Sequence, residues 1–181
     1  MVIVDDTPAH IREYWMQQNP EYILALLDPA YQNERSAALA NKDTAQSYHW
    51  RDKLNMLDPS HPKATIPEWV RWSKRKKQQF RCYVLGWHET DWMINKLTRN
   101  IQQIGVLTVD HFVAGANGCL TTDLNTTMLA EIVNNKKGSK VKTYEDMREH
   151  FYSVYEQYIP SPEEMIAIQS FRANKIAKVK L

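Results

Sequence analysis

The amino-acid sequence predicts an all-α fold: an irregular multi-helix bundle of about eight helices with no significant sheet. Two observations favour this fold class. Strand-like alternation of polar and apolar residues is nearly absent, apart from Val2-Ile3-Val4 and the pair Val106-Leu107. A residue with a side-chain oxygen stands directly before proline at five positions, and such pairs are typical of helix N-termini. The pairs are Thr7-Pro8, Asn19-Pro20, Asp28-Pro29, Asp58-Pro59 and Ser161-Pro162.

Further signals indicate where the helices begin and end. A capping box, in which Glu follows Ser or Thr after three positions, supports helices that start after Thr65 and after Ser161. Gly86, Gly105 and Gly118 stand where C-terminal caps are expected. We therefore expect helices over roughly 8–18, 20–27, 29–57, 66–85, 91–104, 109–116, 122–134, 143–158 and 162–177.

The expected helix over residues 29–57 is long and mostly polar. Between Ala30 and Tyr48 its apolar residues are mainly alanines. A helix with so thin an apolar face is broken, packed within a bundle, or completed by another chain. Residues 29–57 are accordingly the expected surface for a protein partner or for homo-oligomer formation.

Charge is distributed unevenly along the chain, although the net charge is only +2. Residues 1–58 contain five basic and nine acidic side chains, whereas residues 59–114 contain nine basic and four acidic ones. This pattern predicts three parts. They are an acidic helical region with one long polar helix (1–61), a basic-aromatic helical core (62–159), and a C-terminal helix with a basic tail (160–181).

Composition narrows the class of protein. A hydrophobic content of 43% and a charged content of 24% are ordinary for a folded globular chain, which argues against wholesale disorder. No apolar run approaches the length of a membrane span, and the N-terminus lacks the pattern of a signal peptide. Cys82 and Cys119 lie far apart and form no disulfide framework. We expect a cytoplasmic protein with reduced thiols and no membrane association.

Residues 65–86 combine basic and aromatic side chains and include a single acid, Glu68. On a helical wheel the aromatic side chains share one face. The opposite face carries four cations that we call the basic strip: Arg71, Lys74, Lys77 and Arg81. Solvent-facing cations neutralise phosphates and release counterions, so the basic strip predicts binding to a nucleic-acid backbone, with Arg75 assisting. The alternative is an ordinary solvated helix face.

Other basic residues are candidates for the same interaction. Lys136, Lys137 and Lys140 follow the expected helix 122–134, and Lys175 lies in the basic tail. Residues 108–133 resemble the helix-turn-helix pattern of DNA-binding proteins, with the turn at Gly118. In that arrangement the side chains of residues 125–127 would reach base edges. An ordinary helical hairpin explains the same pattern and is favoured, because the second helix has no Lys or Arg.

The sequence contains no clear signal for catalysis. Phosphate-binding glycine loops, nucleophile elbows and HExxH motifs are absent, and the six histidines are scattered. Two local clusters, His88 with Glu89 and Asp91 and the acids near His150, lack the converging groups that a metal or acid–base site needs. We therefore expect no cofactor, no metal and no enzymatic activity.

These observations predict a small intracellular accessory protein that binds a nucleic-acid backbone through the basic helix face, without enzymatic activity. The alternative is a structural or adaptor subunit of a larger protein assembly, such as a viral one, that acts through protein–protein contacts. The charge polarity and the long polar helix favour this alternative. An inhibitor that occupies a nucleic-acid-binding groove on another protein would need a more acidic chain, and is the least favoured.

Overall fold

The structure, a computed structural model, describes residues 7–40, 66–96, 98–113, 120–138, 156 and 158–179. In these ranges the α-helices include α1 (Ala9–Gln18), α2 (Pro29–Ala40), α3 (Glu68–Lys77), α4 (Glu131–Lys137) and α5 (Pro162–Val179). A 3-10 helix spans Pro20–Leu27. The strands are β1 (Trp92–Ile94), β2 (Ile101–Gln103), β3 (Thr108–His111) and β4 (Thr126–Leu129).

The prediction of an all-α fold is wrong, because the described part of the chain is mixed α/β and contains two small antiparallel sheets. β1 pairs with β2, placing Trp92 opposite Gln103. β3 pairs with β4, placing Thr108 opposite Leu129. The expected helix over 91–104 is therefore a hairpin, the one over 109–116 begins within β3, and the one over 122–134 divides into β4 and α4.

The helix N-termini in the structure agree better with those predicted from the sequence. Asn19 and Asp28 cap the helices that follow them, each accepting a hydrogen bond from the backbone N–H two residues on. The capping box at α5 is confirmed, since Ser161 Oγ accepts from Glu164 N at 3.2 Å and Ser161 N donates to the Glu164 carboxylate at 3.0 Å. Thr7 does not cap α1. Its hydroxyl instead accepts a hydrogen bond of 3.0 Å from the indole N–H of Trp69.

Two hydrophobic clusters form the core of the part of the chain that the structure describes. The first packs α1, the 3-10 helix and α2 against α3, with Trp15, Trp69 and Trp72 at its centre. The second lies around the strands and α4, and includes Met128 and Cys82. Cys82 is buried, and its Sγ accepts a hydrogen bond of 3.3 Å from Ala130 N. The first cluster draws residues from both sides of position 61, and the division of the chain into three parts stays a prediction.

α3 ends at Lys77, well before the expected Leu85. Gln79 and Phe80 adopt φ angles of +55° and +56°, a left-handed conformation that cannot continue a right-handed helix. The chain then reverses, and Arg81 pairs with His88 in an isolated antiparallel bridge. Arg81 therefore does not lie on the same helix as Arg71, Lys74 and Lys77, contrary to the prediction.

Candidate functional site

The basic strip does not form a continuous solvent-facing surface, because Lys74 points into the protein. Its side chain is only 8% exposed, and Nζ lies 2.5 Å from Asp123 Oδ1. Nζ also donates to the carbonyl oxygens of Asp123 at 3.1 Å and Thr126 at 3.2 Å. Burial lowers the pKa of Lys74, and the hydrogen bond and negative charge of Asp123 offset only part of that effect.

Asp123 joins three parts of the fold. It accepts hydrogen bonds from Lys74 on α3 and from the Tyr22 hydroxyl on the 3-10 helix. Burial disfavours ionisation of the Asp123 carboxyl, but the hydrogen bonds from Lys74 and Tyr22 outweigh it and hold its pKa below the usual range. Burial, followed by the hydrogen bond and charge of Asp123, raises the pKa of Tyr22. This cluster fastens α3 and the 3-10 helix to the segment before β4.

Arg75 is buried as well, at 6% exposure. Its guanidinium binds both carboxylate oxygens of Glu89, at 2.8 Å from Nη2 to Oε1 and 3.2 Å from Nε to Oε2. Nη1 lies 2.6 Å from Glu34 Oε1 on α2. Burial disfavours the charged guanidinium, but the hydrogen bonds to Glu89 and Glu34 keep the pKa of Arg75 above its usual value. Two carboxylates of the same chain therefore neutralise Arg75.

Lys137, at the end of α4, is completely buried. Its Nζ donates to the carbonyl oxygen of His111 at 2.5 Å. The same Nζ lies 2.8 Å from Asp110 Oδ2. Burial raises the pKa of Asp110 in spite of this neighbouring cation. Lys137 therefore serves as a structural link between α4 and β3.

The remaining predicted cations are dispersed. Arg71 lies 3.4 Å from Glu68 on its own helix, Lys77 is exposed, and Arg81 is exposed and donates to the carbonyl oxygen of Gly86. Lys175 is exposed on α5, at 5.8 Å from the ring centroid of Phe171. Lys136 belongs to α4, and Lys140 lies outside the described residues. The structure contradicts the geometry expected of the basic strip, while the role of these residues in binding stays a prediction.

The segment that resembles a helix-turn-helix has a different structure where it is described. Residues 108–111 and 126–129 are the paired strands β3 and β4, and residues 114–119 lie outside the described ranges. Asn125 is buried, and its Nδ2 donates to the carbonyl oxygens of Val113 and Leu120. Thr126 and Thr127 are buried too. The side chains expected to reach base edges are therefore held inside the protein.

The histidine cluster noted in the sequence also has a structural role. His88 Nδ1 interacts with the Thr90 hydroxyl, and Asp91 accepts a hydrogen bond from His88 N at 2.8 Å. The Glu89 carboxylate forms an ion pair with the Arg75 guanidinium. Within the ranges that the structure describes, no three His, Cys, Asp or Glu side chains come together as a metal site would require. The acids near His150 lie outside those ranges.

Most of the described side chains of α5 are exposed. It packs on β1 through Ile168 and Phe171, whose ring lies 5.4 Å from that of Trp92. Glu164 secures its first turn by accepting from Lys96 at 2.5 Å and from Arg99 at 2.9 Å. Among the side chains of the helix whose exposure is described, three large apolar ones remain exposed, namely Met165, Ile166 and Ile176 at 41%, 64% and 50%.

A groove of about 380 Å³ runs between α5 and the segment that leads into β1. Its lining includes Trp87, Trp92, Ile159, Pro160, Met165 and Arg172. We call it the α5 groove. Sequence reasoning treated the C-terminal region mainly as a basic tail and missed this site. In the sequence, Met165 and Ile176 are the signal that could have indicated this groove. A helix that buries only one face does not need apolar residues outside that face.

A second groove, of about 320 Å³, lies beside the 3-10 helix. Tyr22, Leu24 and Trp72 line it, together with Lys76 and Lys77 at the end of α3. The Lys76 ammonium is 2.5 Å from Asp28 and lies over the Trp72 ring at 5.0 Å. Leu24 in this lining is exposed, and so is Leu27 at the end of the same 3-10 helix.

Among the described residues, no helix combines the length and apolar character needed to cross a membrane. Comparisons with protein-family models, with curated proteins and with solved structures find no match for the chain.

Proposed function

We propose that this chain is a structural or adaptor subunit that binds another protein. The observation that carries the proposal is that the surface differs in chemical character from the one that the sequence predicts. Cations expected to face solvent are neutralised by carboxylates of the same chain, while large apolar side chains of α5 and the 3-10 helix are exposed. Clustered apolar surface beside a groove is typical of a protein-binding site.

The buried ion pairs also reduce the case for nucleic acid. A phosphate contact needs a cation at the surface with few competing acids. Lys74, Arg75 and Lys137 would each have to leave a buried partner before binding phosphate. Breaking such a pair leaves an uncompensated charge inside the protein, which costs about 3–5 kcal/mol.

Binding of a nucleic-acid backbone remains a second candidate, supported by α5 itself. Arg172, Lys175 and Lys178 are exposed on this helix, and no acidic residue follows Glu164. Lys77 and Arg81 add two exposed cations elsewhere. These residues form a smaller and more scattered set than the basic strip.

Site-specific photo-crosslinking in the cells that make this protein tests the two candidates. A photoreactive amino acid at Ile176 or Leu24 should give a discrete protein adduct, with another protein or with a second copy of the chain. The same label at Glu13, an exposed polar position on α1, is the control. Adducts to nucleic acid at Ile176, or equal labelling at all three positions, would contradict the proposal.

A mobility assay with purified protein gives independent information. We expect no shift of random duplex or single-stranded DNA at about 50 mM salt. Tight binding at that salt, falling by orders of magnitude at about 200 mM, is the result expected of a phosphate-binding protein and would favour the second candidate.

A further inference from the structure

The α5 groove has an apolar lining and one uncommitted cation. Trp87 and Trp92 are half-buried there, and Met165 is exposed beside them. Arg172 is exposed and makes no ion pair or hydrogen bond to another described residue. The one carboxylate in the lining, Asp91, is engaged by the backbone N–H of His88. A ligand would therefore meet tryptophan and methionine surfaces together with an available guanidinium.

The groove-facing side of α5 continues past the groove. Met165, Gln169 and Arg172 line the groove at spacings of four and three residues, which places them on one face of a helix. Ile176, four residues after Arg172, continues the same face and is half-exposed. The eleven helical rises from Met165 to Ile176 span about 16 Å, so this stripe is long enough for a peptide segment to lie along it.

We propose that the α5 groove binds an acidic amphipathic segment of a partner protein. An apolar side chain of that segment enters beside Trp87 and Met165, and a carboxylate pairs with Arg172. This inference rests on the proposed function of protein binding, and it names the site and the chemistry of the partner.

Two arguments select this occupant. Aromatic side chains that line a groove are the usual anchors for an inserted apolar residue. The Arg172 guanidinium offers paired N–H donors that match the two oxygens of a carboxylate, and its own helix has no acid after Glu164 to compete. An acidic partner segment supplies the missing charge.

The test uses the full chain and synthetic peptides as probes. Each short peptide has one central Leu, Phe or Trp flanked by glutamates, and a matched set has lysines in place of the glutamates. Binding is followed by the NMR signals of the indole N–H groups, with Trp87 and Trp92 assigned by Trp→Phe substitution. We expect the acidic peptides to shift both signals and the basic peptides to bind at least about tenfold more weakly.

Paired variants locate the binding surface. Arg172→Glu should weaken acidic-peptide binding by about tenfold or more, whereas Lys178→Glu, the same charge change on another face of α5, should change it less than about twofold. Met165→Asp should abolish binding, whereas Leu124→Asp, at an exposed apolar position in the segment before β4, should not. Unchanged melting temperatures confirm that the variants remain folded.

The outcomes separate this inference from the function on which it rests. If Ile166→Asp weakens peptide binding and Arg172→Glu does not, the protein binds a partner through another side of α5, and the groove is overturned while the proposed function holds. Equal effects of Arg172→Glu and Lys178→Glu would also overturn the groove, since they indicate only general charge attraction. If no peptide binds and the crosslinking finds no protein adduct, both proposals fail.

Discussion

Lys74 shows why a helical wheel misassigned the direction of a charged side chain. The wheel correctly places Lys74 on a different side of α3 from the buried Trp69, but it contains no information about what packs there. The partner carboxylate, Asp123, is 49 residues away, in a segment expected to be helical. Burying a lysine without a partner would be prohibitively costly, so a helical wheel, which does not include Asp123, predicts an exposed side chain.

Replacing Lys74 by methionine should destabilise the protein. The change removes the buried cation and the hydrogen bonds that its Nζ donates to the Asp123 carboxylate and to two backbone carbonyls, so the free energy of unfolding should fall by about 2–4 kcal/mol. Urea denaturation measures the change. Lys77→Met, on the exposed side of the same helix, should cost less than about 0.5 kcal/mol. Equal effects of the two substitutions would contradict the buried ion pair.

Glu164 makes a prediction about acid stability. Hydrogen bonds from Lys96, the Ser161 backbone and Arg99 outweigh desolvation and lower the pKa of Glu164 from 4.5 to about 2. The unfolded chain therefore takes up the proton first, and the stabilisation is lost as the pH falls through the interval between these two pKa values. The difference in melting temperature between wild type and Glu164→Gln should be full above about pH 5 and shrink toward pH 2.

The matched control for Glu164 is Glu13→Gln, at an exposed position on α1. Its difference in melting temperature from wild type should stay small and nearly constant over the same range. A Glu164→Gln difference that does not change with pH would show that the carboxylate is not held by Lys96 and Arg99 in solution.

At the scale of elements, the sequence predicted helix starts well and strands poorly, for identifiable reasons. Local signals are sufficient for a helix start, as at Asn19, Asp28 and Ser161, where the capping atoms lie within three residues of their donors. β4 is buried at all four positions, so it lacks the alternation that identifies a half-buried strand. β1 and β2 are only three residues each, too short for a periodic pattern.

The candidate site, too, could be predicted from the sequence only in part. The individual cations could be read from the sequence, but their burial depends on carboxylates from distant segments such as Glu34 and Asp110. The α5 groove depends on Trp87 meeting a helix that begins 75 residues later in the chain. Pairings over such separations have no local signal.

The attachment of α5 is open to a direct test. Ile168 and Phe171 provide its apolar contact with β1, so Phe171→Ala should release much of the helix while the two clusters stay folded. Hydrogen exchange with mass spectrometry should show protection of α5 falling at least about tenfold, with α1 and α3 unchanged. Ser170→Ala, at the exposed neighbouring position, should have no such effect. Loss of protection throughout the chain would instead indicate that α5 is needed for the whole fold.

At the scale of the whole molecule, charges are paired between segments that the sequence analysis treated as separate. Glu34 and Asp28 in the acidic N-terminal region meet Arg75 and Lys76 in the basic segment. The predicted separation into an acidic and a basic side is therefore partly cancelled by folding. Part of the charge polarity along the sequence therefore comes from acidic and basic residues that pair with each other in the folded protein.

This arrangement predicts a weak effect of salt on stability. Buried pairs are screened far less than exposed ones, so raising the salt from about 0.05 to 0.5 M should change the free energy of unfolding by less than about 1 kcal/mol. Thermal unfolding in sodium chloride measures this directly. A steep loss of stability would show that the pairs at Lys74, Arg75 and Lys137 are open to solvent.

The buried thiol of Cys82 has a practical consequence. Its Sγ lies in the second cluster against the backbone of Ala130, so an alkylating reagent can reach it only when β4 and the turn after α3 come apart. In a Cys119→Ser variant, the rate of thiol modification would therefore report how readily that cluster opens. Cys82 is thus an intrinsic chemical probe of local opening at the junction of the helices and strands.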